Sequence, residues 1–579
     1  MLALLPDGVI GTYASVDFDA ETGANTLTDF RLASEENPDV GISISEMIIW
    51  GFQPAMLEQR LAGTNFDQRG RLLQKMEARD ISLFGAEAFY ERLNDAYANS
   101  VLDASDNLVP DEYADDFNEG FKAGFTTVEE LDLTAGKLIM QSIELRPYER
   151  LPRIDFSDRD RDDADRPGLE DDDFVIVIEY LRDIAAFYRS VGAERISLEE
   201  LNYDFKMSSD VQDVSMQMAF PLVTIENWEG GDIGRMAAGN VQFSAIASVD
   251  GAEDTELDGI PAVEMSGTFG NYFVEDMELD AAYRYLAMGE MPPNTETDLM
   301  SLGVWTLEDM NFSILGSEFY SIGKSVTDLS DWHWLIPTRV SVDVDRLSYN
   351  LSGFMENAAQ FDPTFRDDED LTSFLDVLPV LGEYGLGRPV MDVDGGWSWD
   401  AENGPVSLSF SYGLQRYGAI SFVAGGSLPI FEDAAAALEA NGPGALGGLL
   451  TRDASITGGA ITLEDKGGVD NALALAIEIA KVLPSDGGLD ITNMTPDGLK
   501  AMALGGLSFA SAQAAQVFPP AVDYAESLSD FITLGGTLTV SLDPQQPLAP
   551  KDLAKLSELV GDPDSLVSLL GLSVEHSLD

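Results

Sequence analysis

Two stretches of this chain bring together residue types that could hold a ligand. The first is Asp158-x-Asp160-x-Asp162, which lies inside an acidic run. A calcium loop opens this way, because a hard cation takes several oxygen ligands and alternate residues of a tight loop can all turn inward. The match then fails, since Asp163 stands where the loop needs Gly and Leu169 where it needs a bidentate Glu. Ca2+ is thus the one cofactor the residues suggest, with Asp158, Asp160 and Asp162 as its ligands. The plainer reading of the run is a solvated linker. The second stretch is Asp392-Val393-Asp394-Gly395-Gly396-Trp397-Ser398-Trp399-Asp400. Two indole rings beside Asp392, Asp394 and Asp400 could bind a sugar or a cation. The competing expectation is a turn between two strands, with Trp397 and Trp399 in the core.

Other chemistries are poorly represented. The chain has no Cys, which excludes disulfides, thiolate metal sites and Cys nucleophiles. It has only two His, His333 and His576. His333 stands between Trp332 and Trp334, where an aromatic cluster is expected, and His576 is expected to be solvated near the C-terminus. Neither G-x-S-x-G nor H-E-x-x-H occurs. Gly442-Pro443-Gly444-Ala445-Leu446-Gly447 spells G-x-G-x-x-G, but it follows a helical pattern, whereas a dinucleotide turn needs a strand before it. Ser321-Ile322-Gly323-Lys324 spells S-x-x-K without the partner motifs of acyl transfer. Among 102 acidic residues, a carboxylate pair able to cleave a glycosidic bond has no distinctive mark.

Charge narrows the partners. With 33 basic residues against those acids, the net charge of -69 repels nucleic acid and anionic lipid. An acidic coat of this kind suits solubility in a salty medium, and only 10 of the bases are Lys. No apolar run approaches the ~18 residues of a membrane-spanning helix. The start, Met1-Leu2-Ala3-Leu4-Leu5-Pro6, lacks a basic leader, and an export signal upstream of this reading frame is one explanation.

The elements that must position these residues are mostly strands. A short pattern recurs: Val128-Glu129-Glu130-Leu131-Asp132-Leu133, Leu198-Glu199-Glu200-Leu201-Asn202-Tyr203, Val274-Glu275-Asp276-Met277-Glu278-Leu279 and Leu307-Glu308-Asp309-Met310-Asn311-Phe312. Its second half alternates as a half-buried strand does, and its paired acids are expected near the strand entry. Residues 77–90 also echo 308–320, which suggests a duplicated strand-then-helix unit. The expected fold is α+β: a large, mainly antiparallel twisted sheet with inserted helices and an α+β C-terminal unit. The expected organisation is an N-terminal α+β unit (1–150), an acidic loop (151–173), a β-rich domain (174–425), and an Ala/Gly/Leu-rich C-terminal unit (426–579).

The C-terminal segments Ile461-Thr462-Leu463-Glu464-Asp465-Lys466-Gly467-Gly468-Val469-Asp470, Gly536-Thr537-Leu538-Thr539-Val540-Ser541-Leu542-Asp543-Pro544 and Leu570-Gly571-Leu572-Ser573-Val574 carry a resemblance. Over roughly 130 residues they are similar to the ends of uncharacterised exported proteins of alphaproteobacteria. The strands upstream resemble, more loosely, the AsmA-like envelope proteins. These resemblances imply a periplasmic or envelope location, with the cytoplasm as the alternative, and supply no activity. The leading expectation is a non-catalytic protein whose sheet binds a protein partner or an apolar, lipid-like ligand. A carboxylate-dependent glycan enzyme and a calcium-stabilised surface protein are the alternatives.

Overall fold

A computed structural model describes residues 9–35, 38–62, 69–87, 127–146, 181–182, 184–208, 213–248, 262–361, 369–441, 444–483, 490–550 and 563–578. The fold is α+β, with helices inserted between strands that pair antiparallel throughout the described residues. The chain divides into two compact units, Met1–Gly316 and Ser317–Asp579.

The first unit is a meander of long strands. Its edge is a broken strand, β1 (Val9–Thr12) and β2 (Ser15–Asp19), both paired to β3 (Ala24–Ser34). Then come β4 (Gly41–Trp50), β5 (Gly70–Phe84), β6 (Thr127–Leu145), β7 (Val191–Ser208), β8 (Asp213–Glu229), β9 (Asp232–Ser248), β10 (Val263–Met277) and β11 (Val304–Ile314), each beside its predecessor.

A crease crosses this sheet from β3 to β11. On alternate strands Asp29, Asp80, Glu200, Asn240 and Asp309 hold left-handed φ values of 48–55°. Their neighbours across the sheet are Ser45, Gly136, Pro221 and Gly270 on the strands between. The ladder skips these positions yet keeps register: Ala135 pairs with Leu201 and Lys137 with Glu199, while Gly136 and Glu200 between them do not pair. A second crease lies six residues along each strand. There Ser142, Asn227 and Asp276 have φ of 51–56°, flanked by Gln74, Glu194 and Gly234, with the left-handed glycines Gly51 and Gly303 at its ends. Short polar side chains are the non-glycine residues that best tolerate this conformation, which explains Asp, Asn and Ser at most of these sites.

Each crease slips the alternation by one residue. On a straight strand the core-facing residues advance by two. Across the first crease they advance by three, from Leu27 to Phe30, Ile44 to Met47 and Ala78 to Ile81. Across the second they do so from Leu73 to Met76, Met140 to Ile143 and Ala193 to Ile196. All twelve belong to one apolar cluster that also takes in Trp228 from β8. The recurring pattern is therefore a phase slip: apolar, two polar, apolar, polar, apolar. Its second acid is the left-handed residue at Glu200, Asp276 and Asp309. Glu200 lies mid-strand and Asp276 next to the end of β10, so there the acids do not mark strand entries, whereas Glu129 and Glu130 do stand near the start of β6.

Between the creases the opposite face carries charges in register. Lys75 pairs with Glu77 at 2.5 Å, Arg79 with Glu46 at 3.2 Å, Arg195 with Glu226 at 3.4 Å and Arg235 with Glu275 at 3.6 Å. The hydrogen bond from Lys75, with the charges of Lys137 and Arg79 beside it, holds the Glu77 carboxyl below the ordinary glutamate range against the opposing effect of burial.

The second unit is a meander of β12 (Ser317–Asp328), β15 (Arg339–Tyr349), β16 (Val390–Trp399), β17 (Pro405–Leu414), β18 (Gly418–Ser427), β19 (Ser455–Asp465), β20 (Gly536–Leu542) and β21 (Leu572–Ser577), with a two-residue hairpin of β13 (Trp332–His333) and β14 (Ile336–Pro337). Helices fill the gaps at Phe431–Asn441, Gly444–Asp453, Gly468–Val482, Pro496–Ala514 and Ala521–Leu534. Thr495 caps Pro496–Ala514 by accepting from the Gly498 N–H. The expected duplication holds only for its strands. After Gly85 the chain turns helical at Ala86, whereas after Gly316 it enters β12, with Phe319 and Tyr320 in that strand.

Candidate binding face

The strand alternation of β16 separates the second sequence candidate. Asp392 and Asp394 are exposed on one face, while Trp397 and Trp399 lie on the other. Asp392 accepts a hydrogen bond from the Arg346 N–H at 3.0 Å, and Arg346 is itself left-handed, with φ of 56°. Trp397 and Trp399 pack with Phe431, Ala435, Trp334 and Ile336. Asp400 organises the turn into β17. Its Oδ1 accepts from the N–H groups of Glu402 and Asn403, and its Oδ2 from Asn403 Nδ2 at 2.9 Å. The Asn403 side-chain and backbone donors together hold its carboxyl below the usual aspartate range. The structure thus does not gather these five residues around one point. Asp158, Asp160 and Asp162 lie outside the described residues.

The two histidines differ from one another. His333 meets the Phe431 ring edge-on at 4.6 Å, in the aromatic cluster the sequence implied. His576 is half-buried, with Nε2 2.7 Å from the Gly535 carbonyl, rather than solvated. The G-x-G-x-x-G spelling runs into the helix Gly444–Asp453 from a preceding helix, and Ser321 and Lys324 lie within β12.

The face that carries Trp397 and Trp399 continues over β17, β18 and β19. Val406, opposite Trp399, still packs under the cover of Phe431. Beyond it the described residues leave the face open. Leu408, Phe410, Ile420, Phe422 and Ile461 are 37–47% exposed. They are cross-strand neighbours: Phe410 pairs with Phe422 and Phe422 with Ile461, while Leu408 and Ile420 sit one step to either side. The opposite face carries one exposed apolar residue, Val423, and is otherwise laced by hydroxyl pairs, Ser398 with Ser407 at 2.8 Å and Ser541 with Ser573 at 2.7 Å.

This sheet therefore has a covered apolar end and an open apolar middle. Fully burying one such side chain is worth about 1.5–3 kcal/mol, and contiguous exposed apolar surface of this kind marks an interaction site. Period-two alternation in the sequence marks strands at Val406–Tyr412 and Ala419–Val423 but not the face they share. The alternation of Ser407, Ser409 and Ser411 with Leu408 and Phe410 is its signal, and it shows which residues share a side without showing what lies over them.

Among the described residues, no three His, Asp or Glu come together as a metal site. No described helix is long and apolar enough to cross a membrane, a statement that does not extend to strands. A family model described only as "Uncharacterized protein" matches residues 406–577, the segment that runs from β17 into β21 and includes the open face. The C-terminal resemblance is supported to that extent. None of the curated proteins and none of the solved structures matches the chain.

Proposed function

We propose that this chain is a non-catalytic cell-envelope protein that holds a protein partner against the open face of β17–β19. The reading rests on one observation: five large apolar side chains, adjacent in register, are exposed on a face whose continuation is covered by the protein's own Phe431. A broad open face suits a partner's flat apolar surface, whereas a lipid or small apolar ligand is usually enclosed in a concave pocket. A carboxylate enzyme is less favoured, because Asp392 and Asp394 stand exposed on the face opposite the Trp pair. The envelope location rests on the C-terminal resemblance and is tested by fractionation of the native cells.

The binding reading is tested by placing a photo-crosslinking residue at Phe410 or, on the other face, at Ser409. Crosslinking in native cells from position 410, absent from 409 and abolished by Phe422→Ser, is the expected result. Equal crosslinking from both faces sinks the proposal.

A further inference from the structure

We propose that the first unit carries a binding trough for a linear, uncharged glycan on the strands β7 to β11. A cavity of about 650 Å³ opens on these five strands, just beyond the first crease. Two ladder rows line it, each taking one residue from every strand, with Met218, Phe243 and Gly267 between the rows. Asn202, Ala219, Gln242, Thr268 and Asn311 form the first row. The second follows two residues along, from Asp204 through Gln217, Ser244 and Ser266 to Ser313.

The chemistry of these rows contrasts with the strong charge of the chain as a whole. In a protein of net charge -69, ten adjacent positions contain one carboxylate, Asp204, and no cation. The others, Ala219 apart, are amides and hydroxyls, each able to donate as well as accept. Asn202 Nδ2 is held by the Glu200 carbonyl at 3.1 Å. Among the described residues, no protein hydrogen bond engages the side chains of Gln217, Gln242, Thr268 or Asn311.

Uncommitted donors and acceptors of mixed polarity match sugar hydroxyls, which also do both. A polyanion meets no cation in the trough and a strongly negative protein around it. A bound metal ion needs several oxygens converging on one point, whereas neighbouring rungs of a ladder stand ~4.8 Å apart. The five rungs span about 19 Å at that spacing, room for a chain of several sugar units lying across the strands. Phe243, which also borders the cavity, turns its ring by strand alternation to the other side of the sheet, where it stacks against Phe269 at 5.8 Å and Phe312 at 5.9 Å.

The test uses the full chain and saturation-transfer NMR with cellopentaose, laminaripentaose and maltopentaose, and trigalacturonate as the charged control. At least one neutral pentasaccharide should bind saturably and trigalacturonate should not. The double variant Gln242→Ala/Asn311→Ala should weaken that binding at least tenfold while circular dichroism stays unchanged. Gln242→Glu should weaken it too, and Phe422→Ser on the open face of the second unit should leave it intact. The proposal is overturned if none of the three pentasaccharides binds or if the double variant binds like the wild type. It is overturned equally if an uncharged Ser/Gln peptide displaces a bound pentasaccharide and itself binds more tightly than any of the three sugars.

Discussion

Gly136 lies across the first crease from Glu200, and a Cβ added to Gly136 would sit 2.5 Å from the Glu200 carboxylate oxygen Oε2. The small residue leaves room for its neighbour, whose backbone holds φ of 55°. A left-handed non-glycine residue costs about 1–2 kcal/mol, more for a β-branched one. Glu200→Gly is therefore expected to be tolerated to within about 1 kcal/mol, the relief of strain offsetting the added chain entropy. Glu200→Val is expected to cost about 2 kcal/mol or more. Denaturant unfolding of the two variants decides, and equal losses would refute the crease as the cause.

Gly267 supplies a second test. A Cβ there would meet the Phe243 ring and lie 2.6 Å from the Asn311 carbonyl oxygen. Backbone cannot yield as a flexible side chain can, so Gly267→Val should cost about 3 kcal/mol through overpacking. Gly316, whose Cβ would meet nothing within 4 Å, is a poor control because its φ is 74°. Gly447 has open space and no such constraint, and Gly447→Ala should leave the melting temperature unchanged or raise it.

Glu77 sets an acid limb. Its folded-state pKa is depressed, so the unfolded chain binds its proton more readily. The stability it contributes is present above the ordinary glutamate range, around pH 4.3, and is lost as pH falls through the lower folded value. Glu77→Gln should lower stability at pH 7 and flatten the decline between about pH 5 and pH 3. Chemical denaturation across that range checks it, and a parallel shift of the two curves would exclude Glu77 as a contributor.

The phase slip predicts which side of the pattern tolerates change. Val274 is 2% exposed, while its neighbour Glu275 pairs with Arg235 at the surface. Val274→Asp buries an unpaired charge and should cost about 4 kcal/mol or more. Glu275→Gln should cost less than about 1 kcal/mol. Comparable losses at both positions would mean that the strand faces are assigned wrongly.

Periodicity makes the strands and helices largely legible. Gly536–Leu542 is readable to the residue, and Pro54 marks a helix start. Long strands look shorter than they are: Ile81–Phe84 is the end of β5, which begins at Gly70. The reason is physical, because period two is interrupted at each crease and the strand then looks like two unrelated fragments. The pattern around Glu200 stands out as a repeat, but its doubled acid looks like plain surface charge. Leu27-Thr28-Asp29-Phe30 and Ala78-Arg79-Asp80-Ile81 have the same form and are harder to notice, each having a single acid. The open face of β17–β19 and the trough are hidden for another reason. Both depend on which strands are neighbours and what covers them, which no single strand's alternation contains.

The paired creases also have a mechanical meaning. A plain antiparallel sheet is stiff along its strands, where bonds are covalent, and compliant across them, where hydrogen bonds join one chain segment to the next. A plate folded along two parallel lines resists flexing along the direction of those folds, as corrugated board does. Here the two rows of left-handed residues run across the strands, from β3 to β11, which is the sheet's weak direction. A sheet creased in this way is expected to resist flexing from one outer strand to the other more than a plain one does.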